Sequence, residues 1–426
     1  MASIDDCVRE RRAGFWGAGE RTSIRSEPVK VIRNGDINHG RLTSSAARYF
    51  SKTEAEKSAV TVDDVLITTS GHIGKSAIGA EGYCASNFVR ILRADGRLVD
   101  SRYLRYALMT RRAADAMAVW SGGSTIQNLR TGFFAEHVVP LAPISEQRRI
   151  VQAIEEQFSR LDALEAHLHT MQVRSQSLRR ALLLTVVPDP LPAHWQMSTV
   201  DDVGHVGLGR QRAPQYHQGS QMRPYLRVAN VLEDALDLSD VMEMDFPGDH
   251  CERYRLATGD ILLNEGQTPD LVGRPAMFRG ELPNVCFSKT LLRFRPGPDV
   301  DGEFALLVFL RHLHTGRFRR EARITTNIGH MVLARFKTVD FPVPPMVEQR
   351  RIVTAIREQL SALDRARSTL AVARKRATLL RRAVLDEAFS GRLVAQDPGD
   401  EPTSVLLERL AAEEHACHPK RERTRA

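Results

Sequence analysis

The stretch Pro140-Leu-Ala-Pro143-Ile-Ser-Glu146-Gln147-Arg148-Arg149-Ile150-Val151 is written a second time as Pro342-Val-Pro-Pro345-Met-Val-Glu348-Gln349-Arg350-Arg351-Ile352-Val353. Residues 140–162 match residues 342–364 at a constant offset of 202 without a gap, and 15 of the 23 positions are identical. The same offset still relates Leu178-Arg179-Arg180-Ala181 to Leu380-Arg381-Arg382-Ala383. A segment that keeps its length so strictly in two copies is a rigid element of a duplicated architecture. Neither copy contains Gly or Pro for about forty residues beyond the motif, as a long helix requires.

Apolar residues recur along both helices at alternating steps of four and three. The first seam runs through Ile150, Ile154, Gln157, Leu161, Leu164, Leu168 and Met171; the second runs through Ile352, Ile356, Gln359, Leu363, Leu370 and Leu380. This is heptad spacing, and it predicts that the helices pack on each other as a coiled coil, antiparallel and pseudo-twofold, with a globular unit near each end. Gln157 and Gln359 interrupt the seam at the same place, where a polar residue can fix register; a solvated helix edge is an equally good reading. About forty helical residues extend roughly 60 Å.

Outward from the helices, the globular segments correspond more weakly. Ser3-Ile4-Asp5-Asp6 parallels Thr199-Val200-Asp201-Asp202, Ile32-Arg33 parallels Leu226-Arg227, and Asp64-Val65-Leu66-Ile67 parallels Asp260-Ile261-Leu262-Leu263. Ser124-Thr125-Ile126 stands opposite Thr326-Asn327-Ile328. Short apolar runs at 65–68, 261–263 and 291–294 predict strands, and 101–118 and 304–317 predict helices, so each unit is mixed α/β. The expected division is a first domain over 1–143, a helix over 144–187, a proline-rich linker at 188–192, a second domain over 193–345, a second helix over 346–390 and a partly disordered extension over 391–426. One departure between the copies is that Gly259-Asp260 is matched by Asp63-Asp64.

The chain has 426 residues, 42% of them hydrophobic and 26% charged, which is globular composition. Sixty Lys and Arg against 52 Asp and Glu give +8, compatible with a polyanionic partner but not diagnostic of one. Five dispersed cysteines without a Cys-x-x-Cys pair, no secretory signal and no apolar run near 20 residues lead us to expect a cytoplasmic protein with no membrane association. Residues 347–390 carry ten Lys or Arg against five Asp or Glu, while residues 145–187 carry six against five.

Catalytic motifs are missing. Gly71-His72-Ile73-Gly74-Lys75-Ser76 has the look of a phosphate-binding loop, but the required earlier glycine is Thr69, so a tight turn is the better reading. No Gly-x-Gly-x-x-Gly opens a helix, no Asn/Asp-Pro-Pro-aromatic loop is present, and the histidines lack zinc-hydrolase spacing. The chain is therefore expected to be no enzyme, with no cofactor and no metal of its own.

At the paired Pro-x-x-Glu-Gln-Arg-Arg-Ile-Val motifs, the sequence resembles the specificity (S) subunit of type I restriction-modification systems. Ala388-Phe389-Ser390-Gly391-Arg392-Leu393-Val394 is similar to that family's ending, and Tyr225-Leu-Arg-Val-Ala-Asn230-Val231 to a recurrent strand. The resemblance covers essentially the whole chain. It implies a non-catalytic subunit with two target recognition domains, each reading one half of a bipartite double-stranded DNA sequence, while the coiled coil sets the spacer. It also implies two modification (methyltransferase) subunits bringing S-adenosylmethionine, and restriction subunits bringing ATP and Mg, as partners.

Loops after strands are expected to carry polar groups to base edges, where Arg suits guanine and Asn or Gln suits adenine. By loop position the candidates are Arg33, Asn34, His72, Lys75, Gln127 and Asn128 in the first unit, and Arg227, Asn230, Gln267, Arg274, Asn327 and His330 in the second. A protein-binding scaffold with two globular domains on a coiled coil would explain the repeat without nucleic acid, and it predicts no salt-dependent DNA affinity.

Overall fold

Two stretches of the sequence, Asp64–Thr68 and Ile261–Asn264, become inner strands buried on both faces. The computed structural model describes residues 1–16, 28–38, 40–43, 48–325 and 327–417. Two compact units are present: residues 1–167 together with those from Ala373 on, and residues 168–372.

In the first unit, strands β1 (Val8–Ala13), β2 (Asp64–Thr68), β3 (Ser76–Ile78) and β4 (Val89–Ala94) form a sheet in the order β1-β4-β2-β3, all neighbours antiparallel. Side chains alternate across a strand, and the burial follows. Val65 and Ile67 join Leu92 and the helices α1 (Ser101–Ala107) and Arg111–Trp120 on one face, while Leu66 joins Ala77, Val89 and Ile91 against a second sheet on the other. The helical stretch expected at 101–118 is thus two helices, broken where Thr110 caps the second by accepting from Ala113 N. A short hairpin, β5 (Ser121–Gly122) and β6 (Asn128–Leu129), follows, and then the long helix α2 (Ile144–Leu184).

The second unit repeats this plan. Strands β7 (Gly204–Leu208), β8 (Ile261–Asn264), β10 (Pro275–Met277) and β11 (Leu291–Pro296) take the order β7-β11-β8-β10, with β9 (Gly266–Gln267) leaving the end of β8. Helix α3 (Gly302–His314) covers one face, and its segment from Phe304 to Leu310 is buried throughout. A hairpin of β12 (Arg323–Thr325) and β13 (Ile328–His330) precedes the long helix α4 (Met346–Phe389). A last helix, α5 (Thr403–Cys417), lies in the extension, whose residues 418–426, including the basic stretch from Lys420, fall outside the described residues.

The two long helices pack antiparallel. In the first unit the early turns of α2 (Ile150, Ile154, Phe158, Leu161) share a core with the late turns of α4 (Ala377, Leu385, Ala388). In the second, the late turns of α2 (Leu182, Leu183) share one with the early turns of α4 (Ile356, Leu360). The expected seam needs correction at alternate positions. Leu164, Met171 and Leu380 are 40%, 43% and 52% exposed, and Gln359 is exposed, while the residue after each expected position turns inward: Phe158 after Gln157, Glu165 after Leu164, Leu360 after Gln359, Arg381 after Leu380. Charged residues on the inner face misled the apolar count. Arg381 lays its guanidinium over the Phe158 ring at 5.0 Å and pairs with Glu165 at 3.4 Å, so its stem is buried and its charge satisfied.

The repeated Gln of the Glu-Gln motif has a structural task. Gln147 Nε2 donates to Leu98 O (2.9 Å) and Ala142 O (2.8 Å), and its Oε1 accepts from Asp100 N (2.9 Å). Gln349 does the same with Asp299 O, Pro344 O and Asp301 N at 2.9, 2.9 and 2.8 Å. Both glutamines are fully buried, and Asp100 and Asp301 cap α1 and α3. Each long helix is thereby latched to the helix of its own unit.

Candidate nucleic-acid interface

Each unit brings a hairpin from late in its repeat onto the loop that leaves its inner strand. In the first unit Ser70 bridges Asn128, Gly71 N donates to Gln127 O at 2.9 Å, and Leu129 N donates to Thr69 O at 2.8 Å. Gly71 and Gly74 hold φ of +70° and +85°, conformations that favour glycine, and they make the turn that returns the chain into β3. Asn34 Nδ2 donates to Ser70 O, and Lys75 Nζ donates to Asn38 Oδ1 at 3.0 Å. Asn34, His72, Lys75, Gln127 and Asn128 therefore gather at one end of the sheet, with His72, Gln127 and Asn128 exposed.

In the second unit β9 pairs with β13, placing Gly266 opposite His330 and Gln267 opposite Gly329. The pairs Ser70–Asn128 and Gly266–His330 are related by the same offsets, 196 and 202, that relate the sequences, so one construction is built twice. Here the hairpin strands have three residues each rather than two. Its residues Arg323, Ile324, Thr325, Asn327 and Ile328 are exposed, and Ile126 and Ile328, at equivalent positions, are 58% and 49% exposed. His330 Nδ1 lies 3.6 Å from Glu265 Oε1, and Gln267 Oε1 accepts from Thr268 N at 3.0 Å. Polar groups on short, rigid, strand-anchored loops are what a duplex groove accepts.

The model of the type I restriction modification DNA specificity domain matches residues 23–170 and again 192–374, well over half of the chain. The chain belongs to this family. It is a non-catalytic DNA-recognition subunit of a type I restriction-modification system. Among curated relatives, the EcoKI specificity subunit of Escherichia coli (strain K12) is 21% identical, covering 93% of this chain and 91% of that protein. The StySPI specificity subunit of Salmonella potsdam is 20% identical, covering 92% and 89%. A solved chain from work on complex assembly and conformational transition of the type I R-M system shares the fold, with a TM-score of 0.72 at 18% identity over 92% of this chain and 97% of that one.

For this specificity subunit, four expected readers stand apart from the sheet-end clusters. Asn230 is 2% exposed: its Oδ1 accepts from Arg227 N (3.0 Å) and its Nδ2 donates to Asp237 O and Asp240 O (both 2.9 Å). It closes a turn, with both amide N–H donors spent and the side chain buried away from any base, which corrects the expectation. Arg227 pairs with Asp240, and Arg33, at the matching position, pairs with Asp36 at 3.4 Å. Arg274 lines a hollow of the second unit with Arg179, Glu233, Asp234 and His314, where burial pulls its pKa down while Glu233 pushes it up. Polar residues near strand ends looked alike in the sequence; which of them serve a turn depended on partners three to thirteen residues away.

Glu233 in that hollow sits in a low-dielectric site that opposes its charge. His314 Nε2 at 3.0 Å and Arg179 at 3.2 Å overcome this and hold its pKa down at about 2. Arg179 and Arg357 tie the turn Glu233-Asp234 to the helices, Arg357 Nη1 standing 2.5 Å from Asp234. The first unit makes the corresponding contact with opposite polarity: Arg41 on the turn reaches Asp162 on the helix at 3.5 Å. Among the described residues there is no group of three metal-ligating side chains, and no helix is long and apolar enough to cross a membrane.

Proposed function

We propose that the chain reads a bipartite double-stranded DNA target, one half through residues 1–143 and the other through residues 193–345, and so directs methylation and cleavage carried out by partner subunits. The observation that carries this reading is the twice-built hairpin-on-loop site at equivalent positions of the two repeats. A single site would suit a single contiguous target; a duplicated scaffold with divergent loops suits two different half-sites. The base-facing residues are Asn34, His72, Lys75, Gln127 and Asn128 in the first half and Gln267, Asn327 and His330 in the second. Two modification subunits bring S-adenosylmethionine, and restriction subunits bring ATP and Mg, so the chemistry resides on partners.

The test is retention of a randomised duplex pool by the chain assembled with its modification subunits, followed by sequencing. Two short motifs at a fixed gap are expected. A single contiguous motif would overturn the bipartite reading, and retention without sequence preference would overturn target recognition by these loops.

A further inference from the structure

The second unit contains a basic groove that the hairpin site does not use. It is lined by His205 and Gln211 from the region of β7, by Arg253 and Tyr254, and by Lys289 and Arg293 at the start of β11. None of the described residues lining it carries a carboxylate. Lys289 and Arg253 are exposed. Arg293 is 6% exposed, its guanidinium faces the Phe287 ring at 5.1 Å, and its Nη1 reaches only the carbonyls of Arg253 and Arg255 at 3.5 and 3.3 Å. Its buried Nε has no partner. Burial pulls the pKa of this guanidinium down, and Asp260, the carboxylate whose charge opposes that, is engaged by Arg295 at 2.6 Å, so an arriving anion would offset the cost of burial.

The location of the groove gives the anion a source. Leu208 stands opposite Leu292, and Leu292 opposite Leu263, so the end of β7, the start of β11 and the end of β8 share one end of the sheet. Lys289 N donates to Arg210 O at 2.7 Å, and Glu265 N donates to Thr290 O at 3.0 Å, which ties the groove to the loop carrying Gln267. Among the described residues, the first unit has a partial counterpart: Arg12, opposite Ile91, sends Nη2 to Ala59 O at 2.6 Å, but it stands 3.8 Å from the Glu10 carboxylate, and the positions matching Arg253, Lys289 and Arg293 hold Lys57, Asn87 and Ile91.

We propose that Arg253, Lys289 and Arg293 form a phosphodiester-binding clamp that holds the backbone of the DNA strand whose bases meet the Gln267–His330 loops. This rests on the DNA-recognition reading above. The clamp positions the duplex and carries no base preference, and its phosphate contacts add to the salt dependence of binding.

The test uses the full chain assembled with its modification subunits and labelled duplexes carrying the selected target or a scrambled one, titrated over a range of salt concentrations. Arg253→Ala with Lys289→Ala alters two exposed side chains, so the fold is retained, which unchanged thermal unfolding verifies. Affinity for both duplexes is expected to fall by the same factor, about tenfold per residue at 0.1 M salt, and the slope of log affinity against log salt to drop by about two. The motif selected from a random pool stays the same. Wild-type affinity and slope in the double variant would overturn the clamp while leaving DNA recognition intact, and a changed motif would overturn its assignment to the backbone. Failure of the wild type to retain DNA would overturn the recognition reading and the clamp together.

Discussion

At the scale of single residues, both ends of the Gln147 and Gln349 amides are consumed inside the protein, which accounts for their identity in the two copies. Gln349→Ala strands the carbonyls of Asp299 and Pro344 and the N–H of Asp301, and is expected to cost about 3 kcal/mol, read as a lower denaturation midpoint. Buried His312 gives a pH signature. Its Nε2 lies 2.9 Å from Asp340 O, and burial holds its pKa down at about 4, from 6.5. The unfolded chain takes up a proton below about pH 6.5 that the folded chain refuses until about pH 4. The contribution to stability is thus complete above pH 6.5 and is lost as pH falls through that window, on the order of 3 kcal/mol. His312→Gln is expected to flatten this part of the stability profile; a slope equal to the wild type's would show that other groups produce it.

At the scale of elements, the helix pair separates residues that an apolar count treats alike. Leu161 is 9% exposed in the core shared with α4, whereas Leu164, three positions on, is 40% exposed. Leu161→Ala is expected to cost about 2 to 4 kcal/mol and Leu164→Ala less than about 0.5 kcal/mol, measured by chemical denaturation of the isolated chain. Equal losses would restore the seam read from heptad spacing. The turns that dock on these helices use charge of opposite sign in the two units, Arg41 on Asp162 against Asp234 on Arg357.

At the scale of the whole molecule, duplication predicts that damage to one site changes one half of the target. Asn327→Ala with His330→Ala removes exposed or half-exposed groups of the second hairpin. In pool selection, the variant is expected to lose preference at one of two half-sites by about 1 to 3 kcal/mol per base pair while the other half-site is unchanged. Loss of both together would mean that the hairpins do not read independently.

The sequence by itself determined the duplication, the long helices, the mixed α/β units and the family. A constant offset, uninterrupted helix and alternating burial are local regularities that survive divergence. What it left undecided was which polar residues are free to meet a base. Asn230 and Gln127 look equivalent in sequence, yet one is locked between three backbone groups and the other is exposed beside a turn. Only the tertiary structure separates them, because hydrogen-bonding capacity is spent on partners that chain reversals bring near. The same holds for the groove of Arg253, Lys289 and Arg293, where Arg253 joins the other two only when Arg293 Nη1 reaches its carbonyl. The inner face of the helices was decided likewise, since an arginine there is stabilised by an aromatic ring and carboxylates on the opposite helix.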